Sequence, residues 1–196
     1  MNDYSRVYEK WLSAKRVAKR NLPASLMKYL PEFWLQEYDR MTLRRTDIVQ
    51  VTDHGFEYLF DIASWAQNEG SVRGGFVAED RLVAAFGLTH ANSLPRDSSR
   101  MRGWLGRTSE VFGKGYDKGH AMGHALGGGL DINLIPQRSA TNRGGVFREM
   151  ESYGLENLGV FCFNRPLYQD NSWWPHEIEY GVLKKDGTLW VERFPN

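Results

Sequence analysis

Residues 116–151 read YDKGHAMGHALGGGLDINLIPQRSATNRGGVFREME, and they hold most of the unusual residues of the chain. Three consecutive glycines, Gly127 to Gly129, mark a place where the backbone bends sharply or approaches another group closely. Residues 139–153 have the pattern of a helix that carries Asn142 in its first turn. The stretch therefore predicts a histidine on a strand or loop that faces an amide on a helix.

Five short motifs, in this order, resemble the DNA/RNA non-specific endonucleases, a family of ββα-metal or His-Me finger nucleases. The family pattern is Asp-Arg-Gly-His, then Asn-x-x-Pro-Gln, then Asn-x-Gly leading into a helix with a glutamate. This chain has DKGH at 117–120, LGG at 126–128, NLIPQ at 133–137, then Asn142 and a later glutamate. The resemblance covers about residues 74–196, from the segment FVAEDRLVAAFGLTH to the closing RFPN.

The resemblance implies an α+β fold, with a ββα-metal core and an antiparallel sheet, preceded by a helical N-terminal region. It divides the chain into a helical region at residues 1–70, of unknown function, and a nuclease domain at residues 74–196. The boundary is expected in NEGSVRGG, residues 68–75, where three glycines cluster.

The resemblance also implies roles for individual residues. His120 matches the general base, and Asn142 matches the ligand of Mg²⁺, for which Mn²⁺ can substitute. Glu151 matches the family's glutamate, but an extra glycine between Asn142 and Glu151 keeps Glu149 as a competitor. Lys118 stands where the family has arginine, so it keeps the charge but lacks the guanidinium fork that binds phosphate in two places.

Further candidates are weaker or have plainer explanations. Arg102, in the sequence RGW, resembles an arginine that some family members place against the phosphate, with a different spacing. His124 follows His120 by four residues, but the zinc-protease motif needs a glutamate where Ala121 stands, so His124 is interpreted as a lining or packing residue. Asn133 is expected to brace a loop.

The composition excludes several classes of protein. One cysteine, Cys162, leaves no internal disulfide and no cysteine-rich zinc site, and it is predicted to be buried in a strand. No apolar run of the length needed for a membrane helix occurs, and the N-terminus lacks the apolar region of a secretory signal. The expectation is a cytoplasmic protein without a membrane partner, although delivery as a toxin would leave no such signal. The net charge of +1 does not by itself indicate nucleic-acid binding.

The remaining pattern predicts elements along the chain. Apolar residues at helical spacing predict a helix from Tyr4 to Val17 and a second helical region interrupted at Pro31. A strand is predicted at 47–51, then a helix from Gly55 to about 68, capped by Asp53. Residues 76–80 and 81–90 are predicted to pair as a hairpin, and three further strands are expected at 158–163, 177–185 and 188–194.

These observations lead to one leading hypothesis and two others. The leading hypothesis is a Mg²⁺-dependent, sequence-nonspecific endonuclease that hydrolyses DNA, and RNA by the same chemistry, because contacts to phosphate carry no sequence information. The alternative is a catalytically silent nucleic-acid-binding or scaffold protein on a nuclease fold. A third hypothesis, compatible with the first, is a toxin or host-defence effector whose N-terminal helices bind a protein inhibitor or activator.

Overall fold

The computed structural model describes residues 4–18, 21–42, 46–62, 80–92, 95, 97, 99, 101, 113–170 and 173–196. The helices are α1 (Tyr4–Ala14), α2 (Leu22–Met41), α3 (Ser139–Arg143) and α4 (Gly145–Glu156). The strands are β1 (Ile48–Asp53), β2 (Phe56–Asp61), β3 (Arg81–Leu88), β4 (Tyr116–His120), β5 (Leu134–Arg138), β6 (Phe161–Leu167), β7 (Glu177–Leu183) and β8 (Leu189–Pro195).

Two antiparallel sheets contain these eight strands. The larger sheet has the order β1-β2-β3-β6-β7-β8, and β4 and β5 form the smaller one. The α+β class with antiparallel sheets is therefore confirmed. The three strands predicted at the C-terminal end are also confirmed, as β6, β7 and β8.

The large sheet lies between two layers. Helix α1 packs on β8 and α2 packs on β3 and β6, whereas α4 contacts β7 from the other side. Alternate residues of β6 face opposite cores, since Phe161 and Phe163 pack with the N-terminal helices and Cys162 packs with α4 and the small sheet. The strand thiol is buried, as the sequence predicts.

Helix α2 continues through Pro31, where the sequence predicts an interruption. A proline inside a helix costs about 3 kcal/mol, because it removes one hydrogen bond and crowds the preceding turn. Leu26, Leu30, Trp34 and Tyr38 repeat every four residues and are buried against the sheet. Burial of each large apolar side chain contributes about 1.5–3 kcal/mol, so the packed face outweighs the defect.

The predicted helix from Gly55 is wrong, because residues 56–61 form strand β2. His54 (φ 48°) and Gly55 (φ 77°) both have left-handed backbone conformations. Two such residues between Asp53 and Phe56, which are paired in the register, make the tight turn of a β-hairpin. Buried residues then alternate at Phe56 and Tyr58 on one face of the sheet.

Strands β1 and β2 belong to the same sheet as β3, so described residues on both sides of residues 68–75 share one core. The predicted boundary itself lies outside the described residues. Residues 76–79 of the predicted hairpin also lie outside them, and β3 pairs with β2 and β6.

A buried group of charges fastens the N-terminal helices to the sheet. Arg165 of β6 donates to Tyr8 of α1 at 2.8 Å, and it forms ion pairs with Glu179 of β7 at 3.0 Å and with Glu37 of α2 at 2.9 Å. Burial raises the pKa of the Tyr8 hydroxyl, so Tyr8 stays protonated at neutral pH and donates to Glu179. Removal of α1 would leave Arg165 and Glu179 short of partners in a buried place.

Candidate active site around His120

The small sheet and the two helices after it carry four of the predicted site residues, Lys118, His120, Asn142 and Glu151. His120 is the last residue of β4 and pairs with Leu134, the first residue of β5. Strand β5 runs directly into α3, which begins at Ser139. The order is therefore strand, loop, strand and helix, and His120 lies where the loop begins.

His120 is 7% exposed, and its ring centroid lies 5.9 Å from that of His124. Gly119, just before it, has no room for a side chain, because a Cβ there would lie 2.0 Å from Oε1 of Gln137. The glycine in DKGH thus allows the side chain of Gln137, on the neighbouring strand, to cross β4.

The loop from Ala121 to Asn133 is held by the side chain of Asn133. Its Nδ2 donates to the carbonyl oxygens of Met122 at 2.7 Å and Gly129 at 2.9 Å, and its Oδ1 accepts from the Met122 amide at 2.7 Å. Asn133 is completely buried. The prediction that Asn133 braces the loop is confirmed.

Asn142 lies on α3, where its Nδ2 donates to Oδ2 of Asp117 at 3.1 Å. Arg143 holds the same carboxylate from the other side, with Nε 2.8 Å from Oδ2 and Nη2 2.5 Å from Oδ1. Partial burial acts to raise the pKa of Asp117, but hydrogen bonds from Arg143, Asn142 and Ser139 together hold it below its usual value. Asp117 is therefore an ionised acceptor at neutral pH.

Glu151 of α4 faces the loop that follows His120. Its side chain is 12% exposed, and a Cβ added to Gly123 would lie 2.7 Å from its Oε1. Its other oxygen, Oε2, forms an ion pair with Nη1 of Arg148 at 2.5 Å. Glu149, by contrast, is an exposed residue of the helix. Of the two glutamates, the one near the histidine loop is Glu151.

Lys118, one of the two predicted phosphate contacts, donates from Nζ to the carbonyl oxygen of Met101 at 2.8 Å. Partial burial lowers the pKa of its ammonium group. The other predicted contact, Arg102, lies outside the described residues. The structure thus describes Lys118 but not Arg102. Lys118 bonds to Met101, the residue that precedes Arg102 in the sequence.

His124 has a fixed ring, which fits its interpretation as a lining residue. Its Nδ1 lies 3.1 Å from the Gly128 carbonyl oxygen and 2.9 Å from Nδ2 of Asn92. Asn92 also donates to the His124 carbonyl oxygen at 3.1 Å, so it joins the end of β3 to this loop. Among the described residues, no group of three or more His, Cys, Asp or Glu side chains could hold a metal ion.

The sequence interpretation missed three residues that shape this region. Asp117 was visible as the first residue of DKGH, and its role depends on a partner on α3. Gly123 carries a steric role that only the neighbouring Glu151 reveals. Asn92 follows a strand in a polar segment, and nothing in its sequence context pointed to the histidine loop.

Comparisons with known proteins give a distant likeness to solved structures. No family model matches the chain, and no curated protein matches it. Among solved structures, the chain is similar to one described as "Structure of Sda1 nuclease with bound zinc ion". The TM-score is 0.39 and the identity is 15%, over 78% of this chain and 74% of that chain. Among the described residues, no helix is long and apolar enough to cross a membrane.

Proposed function

We propose that the chain is a metal-dependent endonuclease that hydrolyses phosphodiester bonds of DNA, and of RNA by the same chemistry. The observation that carries the proposal is the position of two side chains relative to His120. Asn142 contacts Asp117, three residues before His120, and the Glu151 carboxylate lies against Gly123, three residues after it. The imidazole of His120 therefore lies on a short segment, residues 117–123, and the Asn142 amide and the Glu151 carboxylate contact the two ends of that segment.

His120 is proposed as the general base. Hydrolysis needs a group that takes a proton from water, and an imidazole is suited to this because its pKa lies near neutral pH. His120 lies at the end of β4 and is buried, as are its neighbours Gly119 and Ala121. In the proposal, His120 accepts the proton of the attacking water, and a new bond to phosphorus forms as the bond to the leaving oxygen breaks.

Asn142 is proposed to hold the metal, and Glu151 lies on the next helix as its neighbouring carboxylate. Asp117 engages Nδ2 of Asn142, so the amide oxygen is left for another partner. An amide oxygen and a carboxylate are hard oxygen donors, which suit Mg²⁺ or Mn²⁺ better than zinc. The ion would supply positive charge at the phosphate and at the leaving oxygen. Glu151 is proposed to orient water at the site, in preference to the exposed Glu149.

Lys118 and Arg102 are proposed to contact the phosphate. Lys118 carries an ammonium group next to His120 in the DKGH motif, and it donates one hydrogen bond to the Met101 carbonyl oxygen. Because these groups engage phosphate and leave the bases alone, cleavage should tolerate any sequence.

The alternative is a protein that binds nucleic acid without cutting it. One observation favours it: three basic residues near His120 already have partners, since Arg143 pairs with Asp117, Arg148 pairs with Glu151 and Lys118 donates to Met101. Basic side chains that are already paired with the protein are less able to stabilise the negative charge that a phosphate develops during hydrolysis.

Incubation of the purified chain with plasmid DNA and with structured RNA, with and without EDTA, tests the proposal. Mg²⁺-dependent cleavage that His120→Ala removes supports the nuclease. Retained substrate binding without cleavage, at any concentration of Mg²⁺ or Mn²⁺, supports the alternative.

The biological setting is proposed from the N-terminal half. Exposed basic residues lie on helix α1 at Arg6 and Lys10 and in the turn after it at Lys15 and Arg16, and an acidic protein inhibitor or activator could cover them. We keep the toxin or host-defence role and the cytoplasmic location as parts of this proposal. A pull-down with the intact chain, compared with a variant that has glutamate at Arg6 and Lys10, tests for such a partner.

A further inference from the structure

A row of polar side chains crosses the middle of the large sheet. The register places Tyr58 opposite Ala85, Ala85 opposite Asn164, and Asn164 opposite Tyr180. Tyr58, Ala85 and Tyr180 face the core beneath the small sheet and α4, and Asn164, paired between two of them, shares that face. Tyr58 and Asn164 are 0% exposed and Tyr180 is 1% exposed. Four neighbouring strands thus contribute to one buried line.

The polar atoms of this row have no partner of their own. Within the described part of the chain, four side-chain atoms of this row form no hydrogen bond. They are Nδ2 and Oδ1 of Asn164 and the hydroxyl oxygens of Tyr58 and Tyr180. Tyr180 lies near the Cys162 thiol and Tyr58 near the Gly129 backbone, but neither contact has hydrogen-bond geometry. Native interiors leave few buried polar atoms unsatisfied, so four in one row require an explanation.

Ala85 has the smallest side chain of the row. Ala85 lies between Tyr58 and Asn164 in the row, so only its methyl group stands between the Tyr58 phenol and the Asn164 amide. Adjacent strands lie about 4.8 Å apart, and the gap above a small residue between two larger ones is therefore close to the size of a water molecule. Larger apolar side chains belong to the same core as Ala85, namely Met122, Ile135, Phe147 and Met150.

The chemistry of the row selects the ligand. An amide and two phenols supply both donors and acceptors and carry no charge at neutral pH, since burial raises the pKa of both hydroxyls. A metal ion or an anion would lack a charged partner in the row. A neutral molecule that both donates and accepts, and is small enough for the space above Ala85, fits these groups.

We propose that Tyr58, Asn164 and Tyr180 form an internal water-binding site, in which ordered water above Ala85 joins the Asn164 amide to the hydroxyls. The site lies in the layer between the large sheet and the small sheet, whose strand β4 ends at His120. Its water is a permanent part of the packing of that layer, and it does not depend on the chain being a nuclease.

A crystal structure at a resolution that shows ordered water tests the site directly. Water within hydrogen-bond distance of both the Asn164 amide and the Tyr58 hydroxyl is the expected result. A dry layer above Ala85, or an Asn164 amide paired only with protein atoms, overturns the proposal.

Thermal melts of two variants give an independent test. Tyr58→Phe removes one hydroxyl with little change of shape, and water that loses this partner should lower Tm by about 2–4 °C. Asn164→Leu should lower it further. In a dry layer, both substitutions remove an unsatisfied polar group, so an unchanged or higher Tm for Tyr58→Phe overturns the proposal even if Asn164→Leu does not fold. Tyr29→Phe, a partly exposed tyrosine on α2, is the control and should leave Tm unchanged.

Discussion

Asn142 and Asp117 are joined across 25 residues of sequence by a hydrogen bond of 3.1 Å from Nδ2 to Oδ2. Asp117 can only accept, because hydrogen bonds from its neighbours hold it ionised. The amide of Asn142 is therefore fixed in one of its two orientations, with its oxygen directed away from Asp117. If Asn142 binds the metal, Asp117 is the residue that presents its oxygen.

The first prediction concerns this positioning. Asp117→Asn should raise the Mg²⁺ concentration needed for half-maximal cleavage several-fold, because an amide at 117 no longer fixes the orientation of Asn142. The measurement is a magnesium titration of plasmid cleavage, with kcat taken at saturating metal. Arg143→Gln is the matched control, since it removes the ion pair and keeps the Asn142 bond. An equal shift in both variants would show that the ion pair, and not the orientation of Asn142, matters.

The second prediction concerns the base. His120→Ala should reduce cleavage by about 10²–10⁴-fold, the usual contribution of a positioned general base. The far-ultraviolet circular dichroism spectrum and the affinity for DNA should stay close to those of the parent protein. Activity within a few-fold of the parent would remove His120 from this role, and a collapsed melting transition would assign it a structural one.

The third prediction uses the contact between Gly123 and Glu151. A Cβ at position 123 would lie 2.7 Å from Oε1, so Gly123→Ala should displace the carboxylate. Since the displaced atom is the end of a flexible side chain, the melting temperature should change little while cleavage falls. Gly144→Ala is the control, because its Cβ would meet nothing closer than the Ala140 carbonyl oxygen at 3.8 Å. Full activity of Gly123→Ala would count against a role for Glu151.

The fourth prediction concerns Lys118. Lys118→Arg should keep or raise activity, because a guanidinium can pair with two phosphate oxygens where an ammonium acts as a point charge. It also has enough donors to retain the bond to the Met101 carbonyl. Lys118→Gln should lower activity, and initial cleavage rates of the two variants make the comparison. A large loss in Lys118→Arg would mean that the site is too narrow for the fork.

Local patterns in the sequence predicted much of this fold, and contacts between distant residues account for what it missed. The α1 helix and the last three strands follow from apolar periodicity, which each segment carries by itself. Residues 56–61 were mistaken for a helix because their burial depends on pairing with β3, about 25 residues later in the chain. The motif around His120 gave the candidate residues. The bond from Asp117 to Asn142 and the close approach of Glu151 to Gly123 depend on tertiary packing, which no local pattern encodes.

The last prediction separates the two asparagines. Asn133 uses its whole amide to hold the loop, with three hydrogen bonds to backbone groups, whereas the hydrogen bond of Asn142 to Asp117 engages only Nδ2. Asn133→Ala should therefore lower the free energy of unfolding by about 2–4 kcal/mol, because it leaves buried backbone groups without partners. Its magnesium requirement should not change while the protein remains folded.

Asn142→Ala should do the reverse, because its side chain is only half-buried and supports no loop. Thermal stability should be nearly unchanged, and the magnesium needed for half-maximal cleavage should rise sharply or activity should vanish. Asn142→Asp should retain some activity and change the preferred metal, since a carboxylate is a charged oxygen donor. Magnesium and manganese titrations of the three variants, run beside thermal melts, make the comparison. If Asn133→Ala shifts the metal requirement at unchanged stability and Asn142→Ala does not, the metal ligand is Asn133.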